Sequence, residues 1–459
     1  MIPLKLSELL KPLQTKLIGD DQTILRVDTD SRKPMPQSLF VALSGERFDA
    51  HDFAGKAVEQ GAIALVVERL LPLDVPQLVV ADCRIALGLL ASYLREKLSL
   101  PCCAITGSNG KTTVKEMTTK ILAQAKSVLA TQGNFNNDIG VPLSLLRATE
   151  QHQVGVLELG ANHMGEIAYT VALVKPRAAL INNVSAAHIE GFGDQTGVLR
   201  AKSELFVGLA KGQVAICEAG ADYQQPLMDA ASPAKVQLFS LDQPNADFYA
   251  SEIHSLGLSG SRFTLNTPQG RVQVQINLAG QHNVKNAVAA SALAIAMGAS
   301  LSEVKLGLAD LEEVPGRVNV QTLSPQLQLI DDSYNANPAS FKAAVDILAS
   351  FEGKRLLIAG AMGEMGEQTE LAHKDLIAQA LDRNISLYSY GASFQSALAD
   401  LGRSELVFDS HEHLISQLIE DLNQAPNQAC LILVKGSRSS KMETVVQHLQ
   451  QYYKKGFEC

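Results

Sequence analysis

The chain has 459 residues, enough for about three domains at roughly 150 residues each. Hydrophobic residues make up 46% and charged residues 19%, the balance of a globular protein rather than a disordered or fibrous one. Lys and Arg number 39 against 48 Asp and Glu, a net charge of −9, and aromatics are 5% with no Trp, which argues against a protein that wraps nucleic acid. Any anionic ligand must therefore be held by local groups such as backbone N–H groups, helix N-termini or a bound metal.

The start, Met1-Ile2-Pro3-Leu4-Lys5-Leu6-Ser7-Glu8, lacks the unbroken apolar run of a signal peptide. The most apolar run, Ala287 to Ala299, is too short to span a bilayer and predicts a buried core helix. The six cysteines, at 83, 102, 103, 217, 430 and 459, include no CxxC pair. They predict reduced thiols in a cytoplasmic protein, not a zinc site or disulfide scaffold.

Strand-like runs alternate with helical patterns, which predicts an α/β protein with mostly parallel sheets covered by helices on both faces. Residues 1–98 form a first, small α/β block with strands Ser38–Leu43, Ala62–Val67 and Gln77–Val80 and two helices. Residues 99–313 form a central block, opening with a strand at Cys102–Thr106 and a helix from Lys111, and closing with a helix over Ser302–Leu311. Residues 314–459 follow the Val314-Pro315-Gly316-Arg317 punctuation. Strands at Gln328–Ile330, Arg355–Ile358, Ser386–Tyr390 and Cys430–Val434, each followed by a helix, give this third block a Rossmann-like pattern.

The strongest motif is Gly107-Ser108-Asn109-Gly110-Lys111-Thr112-Thr113, set between an apolar strand and a helix. Glycines let backbone N–H groups turn toward a polyphosphate, and the helix N-terminus faces the same charge. Lys111 is placed to neutralise phosphate oxygens and Thr112 to ligate Mg²⁺. The match is partial, because the usual first glycine is replaced by Ile105. Glu158 ends a second apolar strand, Val154–Leu157, where a nucleotide site needs a metal-binding carboxylate. Many strands also end in an acid that only caps a helix. A third strand, Ala178–Asn182, leads to His188, which as a neutral imidazole could complete a divalent site or could simply be a hydrogen-bonded surface residue. Taken alone, Lys202 in Arg200-Ala201-Lys202-Ser203-Glu204 is a solvated helical lysine.

The order of the motifs resembles the Mur ligases of peptidoglycan synthesis over nearly the whole chain. The likeness rests on Thr106–Thr113, Gly133-Asn134-Phe135-Asn136-Asn137-Asp138-Ile139-Gly140-Val141-Pro142, Glu158, Asn183–His188, Gly280-Gln281-His282-Asn283-Val284-Lys285-Asn286 and Pro315-Gly316-Arg317. Asp30-Ser31-Arg32, Ala187-His188-Ile189-Glu190-Gly191-Phe192-Gly193, Asp331–Pro338, Gly360–Gly366 and Lys435-Gly436-Ser437-Arg438 resemble the branch that joins D-Ala-D-Ala to a UDP-N-acetylmuramoyl-tripeptide. Ala187, where related ligases often carry Asp, fits that branch.

The resemblance implies an ATP-dependent amide ligase that works through an acyl phosphate, with a uridine-nucleotide domain first, an ATP domain second, and a third domain that takes D-Ala-D-Ala and closes on ATP. It implies ATP contacts from Gly107 to Thr113 and from Asn283, Asn286, Arg317 and Asp332. Thr112 and Glu158 would hold one Mg²⁺. His188 and a carbamylated Lys202 would hold a second. Lys111, Glu158, His188, Lys202 and Arg317 would serve the chemistry. Ser31, Arg32, Asn134, Asn137, Tyr334, Asn335, Lys435 and Arg438 would meet the substrates. A monomer with small-molecule partners, no nucleic acid and no membrane insertion is expected.

Other readings stay open on the residues themselves. Lys435–Arg438 follows an apolar strand and could cap a helix, Asn134–Asn137 could be turn formers, and Met362 and Met365 read better as packing residues. The tripeptide-forming Mur ligase and folylpolyglutamate synthetase are the near alternatives. A nucleotide-dependent switch or a scaffold with a vestigial site are the distant ones.

Overall fold

The computed structural model describes residues 1–45, 48–185, 189–311, 316–425 and 427–456. The protein is an α/β molecule built around three large sheets. The first has five strands in the order Leu17–Ile18, Gln77–Val79, Ala62–Val67, Ser38–Val41 and Arg26–Asp28. The second has nine, from Gly270–Ile276 at one edge to Val128–Ala130 at the other. The third has six, from Asn319–Ser324 to Val407–Phe408.

The middle of the nine-stranded sheet creates the site. Strand Cys102–Thr106 lies between Val154–Glu158 and Ala178–Ile181, all parallel, with Glu158 opposite Ile105 and Ile181 opposite Thr106. The connection after Cys102–Thr106 leads to Val128–Ala130 in one half of the sheet and that after Ala178–Ile181 to Val214–Glu218 in the other, so the carboxyl ends of these strands form a switch point, where α/β sheets hold ligands. Burial on both faces explains the unbroken apolar strands. Cys102 and Ala104 enter one core, Cys103 and Ile105 the other. Burial pushes the Cys102 thiol up to about 12, so it acts as a small hydrophobe.

Three strands extend this sheet beyond the alternating pattern. Phe248–Ser255, Ser261–Thr267 and Gly270–Ile276 pair antiparallel. Val274 and Ile276 are buried between exposed Arg271, Gln273 and Gln275, the period-two signature of a strand with one wet face. Helix Gln281–Ala296 packs the sheet's other side with Ala287–Ala294 entirely buried. No helix among the described residues is long and apolar enough to cross a membrane.

In the six-stranded sheet, Leu327–Asp332, Cys430–Lys435, Lys354–Gly360 and Ser386–Tyr390 run parallel. Asp332 lies opposite Lys435, so both end at the same carboxyl edge. Met362 and Met365 are buried there as packing residues.

Candidate active site

Gly110 caps the helix Lys111–Ala123 with φ 76°. That left-handed conformation suits glycine, and a Cβ there would lie 2.6 Å from both Asn182 Nδ2 and Asn286 Oδ1. The turn is thus held between the strand-end asparagine and the long helix. Asn109 N–H donates to Asn183 Oδ1 at 2.9 Å, and Ser185 N–H donates to Ser108 Oγ at 2.9 Å. Lys111 Nζ folds back to donate to the Gly107 carbonyl at 2.8 Å. Burial lowers the Lys111 pKa; the nearby Glu158 charge opposes this fall and Arg317 adds to it.

Glu158 is 2% exposed. Thr112 Oγ1 donates to its Oε2 at 2.9 Å and Asn136 Nδ2 to its Oε1 at 2.8 Å. Its backbone N–H donates to Thr131 Oγ1 at 3.0 Å, and the buried Lys115 donates to the Thr131 carbonyl at 3.0 Å. A buried carboxylate whose described side-chain partners are both neutral is costly, and it fits a cation that the phosphates bring. Among the described residues no cluster of three or more His, Cys, Asp or Glu could hold a metal alone. His188 lies outside the described residues.

Lys202, on helix Gln195–Val207, is 2% exposed instead of solvated. Burial, with Lys111 beside it, holds its amine well below the ordinary pKa. The surface lysine of the plain sequence pattern is therefore a buried one, because the apolar face Val198, Ala201, Leu205 turns it inward.

A cavity of about 900 Å³ lies between the Gly107–Thr113 loop and the C-terminal sheet. Ser108 to Thr113, Asn134, Asn137, Glu158, Asn283 and Asn286 line one side; Arg317, Asp332, Tyr334, Asn335, Lys435 and Arg438 line the other. Arg317 lies over the Tyr334 ring at 4.2 Å. Asp332 is not free: Lys435 Nζ donates to its Oδ2 at 2.6 Å and to the Asn335 carbonyl at 3.0 Å. Arg438 instead pairs with Glu443 at 3.0 Å and is exposed. Asn137 Oδ1 accepts from Gly140 N–H at 2.8 Å, a turn role, while its loop still borders the cavity.

Ser31 and Arg32 are not among the cavity-lining residues. Arg32 is exposed and donates to Asp30, whose carboxyl it holds down at about 2. Several cavity groups carried no individual role in the sequence pattern. Asn136 reaches Glu158, His282 is pushed down to about 4 chiefly by burial, and Lys285 pairs with Glu218 at 2.6 Å. Asn136 and His282 stand inside the recognised motifs, but their contacts depend on which strands are neighbours.

The Mur ligase middle domain matches residues 105–294, and the Mur ligase glutamate ligase domain matches residues 316–438. The UDP-N-acetylmuramoyl-tripeptide–D-alanyl-D-alanine ligase of Escherichia coli strain K12 is 46% identical, over 98% of this chain and 99% of that protein. The chain belongs to the Mur ligase family. Among solved Mur ligases, MurF from Acinetobacter baumannii superposes with a TM-score of 0.92 at 37% identity, covering 98% of this chain and 99% of that one. MurF from Thermotoga maritima, solved in complex with ADP, gives 0.82 at 26% identity over 94% and 98% of the two chains. These likenesses run through all three sheets, so the N-terminal sheet belongs to the same architecture.

Proposed function

We propose that this Mur ligase joins D-alanyl-D-alanine to UDP-N-acetylmuramoyl-tripeptide at the expense of ATP. The cavity carries the reading: it brings the loop holding Lys111 and Thr112, with Glu158, opposite Arg317 and Asp332 of another domain. The likeness to the E. coli ligase along almost the full chain supports the choice of substrates.

A carboxylate does not acylate an amine at neutral pH, because oxide is too poor a leaving group. In this reading a tripeptide carboxylate oxygen attacks the γ-phosphorus of ATP, ADP leaves, and an acyl phosphate forms. The neutral amine of D-Ala-D-Ala then attacks the acyl carbon. Phosphate departs from the tetrahedral intermediate, and the amine proton passes to solvent. An α-amine has a pKa of about 7.7–8.0, so part of it is already neutral, and the reading assigns no general base.

The N–H groups of residues 110 and 111 and the Lys111 ammonium face the phosphates, while those of Ser108 and Asn109 are held by Asn183. Thr112 and Glu158 would hold one Mg²⁺, and His188 with a carbamylated Lys202 would hold a second. Such ions offset repulsion between the carboxylate and the γ-phosphate. The neutral amine needed for a carbamate is favoured by the burial of Lys202 beside Lys111. Asn283 and Asn286 orient the nucleotide, and Arg317 and Asp332 reach it from the junction and the third domain. Residues 1–98 take the uridine nucleotide through Ser31 and Arg32, residues 99–313 take ATP, and residues 314–459 take D-Ala-D-Ala. Asn134, Asn137, Tyr334, Asn335, Lys435 and Arg438 border the peptide path. The third domain swings onto ATP as it binds. The enzyme works as a cytoplasmic monomer.

The test is phosphate release from ATP with Mg²⁺, adding the tripeptide nucleotide and D-Ala-D-Ala singly and then together. Release that needs both, with a product heavier by one dipeptide, is expected. Release indifferent to both would leave a nucleotide-dependent switch in its place.

A further inference from the structure

Asn109, the middle residue of the phosphate loop, has every polar group engaged. Its N–H donates to Asn183 Oδ1 at 2.9 Å, and its carbonyl accepts from Asn182 Nδ2 at 3.0 Å and Asn183 Nδ2 at 3.1 Å. Its Nδ2 donates to Ser185 Oγ at 3.1 Å. These partners belong to the neighbouring strand end of the same sheet. Asn109 Oδ1 is different. It accepts from Asn337 Nδ2 at 2.7 Å, across the cavity.

Asn337 is the N-cap of helix Pro338–Ala349, and its Oδ1 accepts from Ser340 N–H at 2.9 Å. Capping fixes which way the amide points: its oxygen is committed to its own helix, so its nitrogen must face outward. On the other side, the Ser185 hydroxyl accepts from Asn109 Nδ2, and the nitrogen that the cap fixes on Asn337 finds the Asn109 oxygen. Each amide therefore presents the one group that the other can use. The remaining ties between these two parts of the chain include apolar packing of Leu258 on the C-terminal core and a long Glu190 N–H to Glu364 carbonyl bond of 3.4 Å.

We infer that Asn337 is a positioning residue whose amide couples docking of the C-terminal domain to the shape of the phosphate loop through Asn109. The inference rests on reading residues 107–113 as a nucleotide loop. Coupling of this kind is reciprocal: a ligand that orders the loop favours docking, and docking pre-forms the loop for the ligand.

Asn337→Asp isolates the bridge. The carboxylate still caps the helix, but it has no hydrogen to donate and faces Asn109 Oδ1 with a negative charge. Asn337→Ser also caps, and it is too short to reach across. Should the Asp variant fail to fold, the Ser variant carries the test. Both are expected to melt like the parent, to show a larger radius of gyration by small-angle scattering without ligand, and to bind ADP with Mg²⁺ about fivefold more weakly, the fold-change of one neutral hydrogen bond of about 1 kcal/mol. Asn109→Ala should weaken binding too, and adding Asn337→Ser to it should cost nothing more. Unchanged scattering and ADP affinity in folded Asn337 variants would overturn the inference, as would strictly additive losses in the pair. If the parent binds no ADP, the nucleotide-loop reading fails on its own, and the scattering comparison still decides whether the bridge docks the domain.

Discussion

Replacing Glu158 by Gln separates a catalytic carboxylate from a structural one. Glu158 is 2% exposed, and its two oxygens accept from the neutral groups of Thr112 and Asn136 at 2.9 and 2.8 Å. Burying an ion costs several kcal/mol, which the nearby Lys111 charge offsets in part. Two hydrogen bonds to the charged group return about 1.5–3 kcal/mol each. Gln removes the ion and keeps one carbonyl acceptor, so one donor loses its partner at a cost of about 1–3 kcal/mol. These opposing terms leave the fold within about 2 kcal/mol of its parent. Activity follows a different rule. A group that balances charge at a phosphoryl-transfer site is worth about 10²–10³ in rate. The expected variant therefore melts close to the parent and releases phosphate at least about 10²-fold more slowly at saturating substrates. Calorimetric melting and a coupled phosphate assay on the same preparation decide it. Near-parental activity together with a large fall in melting temperature would refute the reasoning, because the carboxylate would then be a strand-end cap.

Lys202→Ala should lose nearly all ligase activity and recover part of it with short carboxylic acids, which restore an anion to the space left by the side chain; full activity without rescue would sink the carbamate. Lys435→Ala should weaken the C-terminal domain by about 3 kcal/mol, because it strands the Asp332 carboxylate that Lys435 holds at 2.6 Å. Hydrogen exchange along Leu327–Asp332 reads the loss, and unchanged protection would count against it. His282 carries a folded pKa pushed down to about 4, against about 6.5 in the unfolded chain. The unfolded state then binds the extra proton first, so the contribution is complete above about pH 6.5 and fades as pH falls toward 4. His282→Gln should flatten melting temperature over that window, and a variant with the parental acid slope would disprove the assignment.

The strand–turn–helix around Gly107–Thr113 was legible in the sequence because each residue there answers a local demand. Cys102–Thr106 is a strand because both its faces are buried, and Lys111 starts a helix because Gly110 takes a left-handed turn. Boundaries were less legible where caps decide them. The helix expected over Ser302–Leu311 spans Leu301–Ala309, since Ser300 accepts from Glu303 N–H while the Glu303 side chain caps Ser300 in return. That Ser-x-x-Glu box was readable. Sheet order was not. Asn136 meets Glu158 because the segment after Val128–Ala130 runs beside the end of Val154–Glu158, and Asn337 meets Asn109 across 228 residues of chain. Neither pairing leaves a trace in spacing. The burial of Lys202 was hidden too, because a lysine between apolar positions reads as exposed until the helix is seen wedged against its neighbours.

The distribution of apolar contact says which part of the molecule can move. One continuous core takes Leu4, Leu39, Val66, Leu87, Leu90 and Leu94 from the N-terminal region together with Leu145, Leu157, Val171, Val174 and Phe206 from the central one. Pulling those regions apart would expose many of these side chains at about 25 cal/mol per Å². The C-terminal sheet keeps two cores of its own, and Leu258 is the central-region side chain packed against them among the described residues. Its face toward the Gly107–Thr113 loop sets polar Arg317, Asp332, Asn335 and Asn337 beside apolar Ala339, Ala343 and Ile347. Water can replace the polar contacts at little cost. The separate cores make movement of the C-terminal sheet against the rest the less costly one, and such movement would carry Arg317 and Asp332 relative to the Gly107–Thr113 loop. A cleft that must admit ATP and two substrates, then exclude water, needs a moving wall of this kind, and polar side chains on that wall let it open without exposing a core.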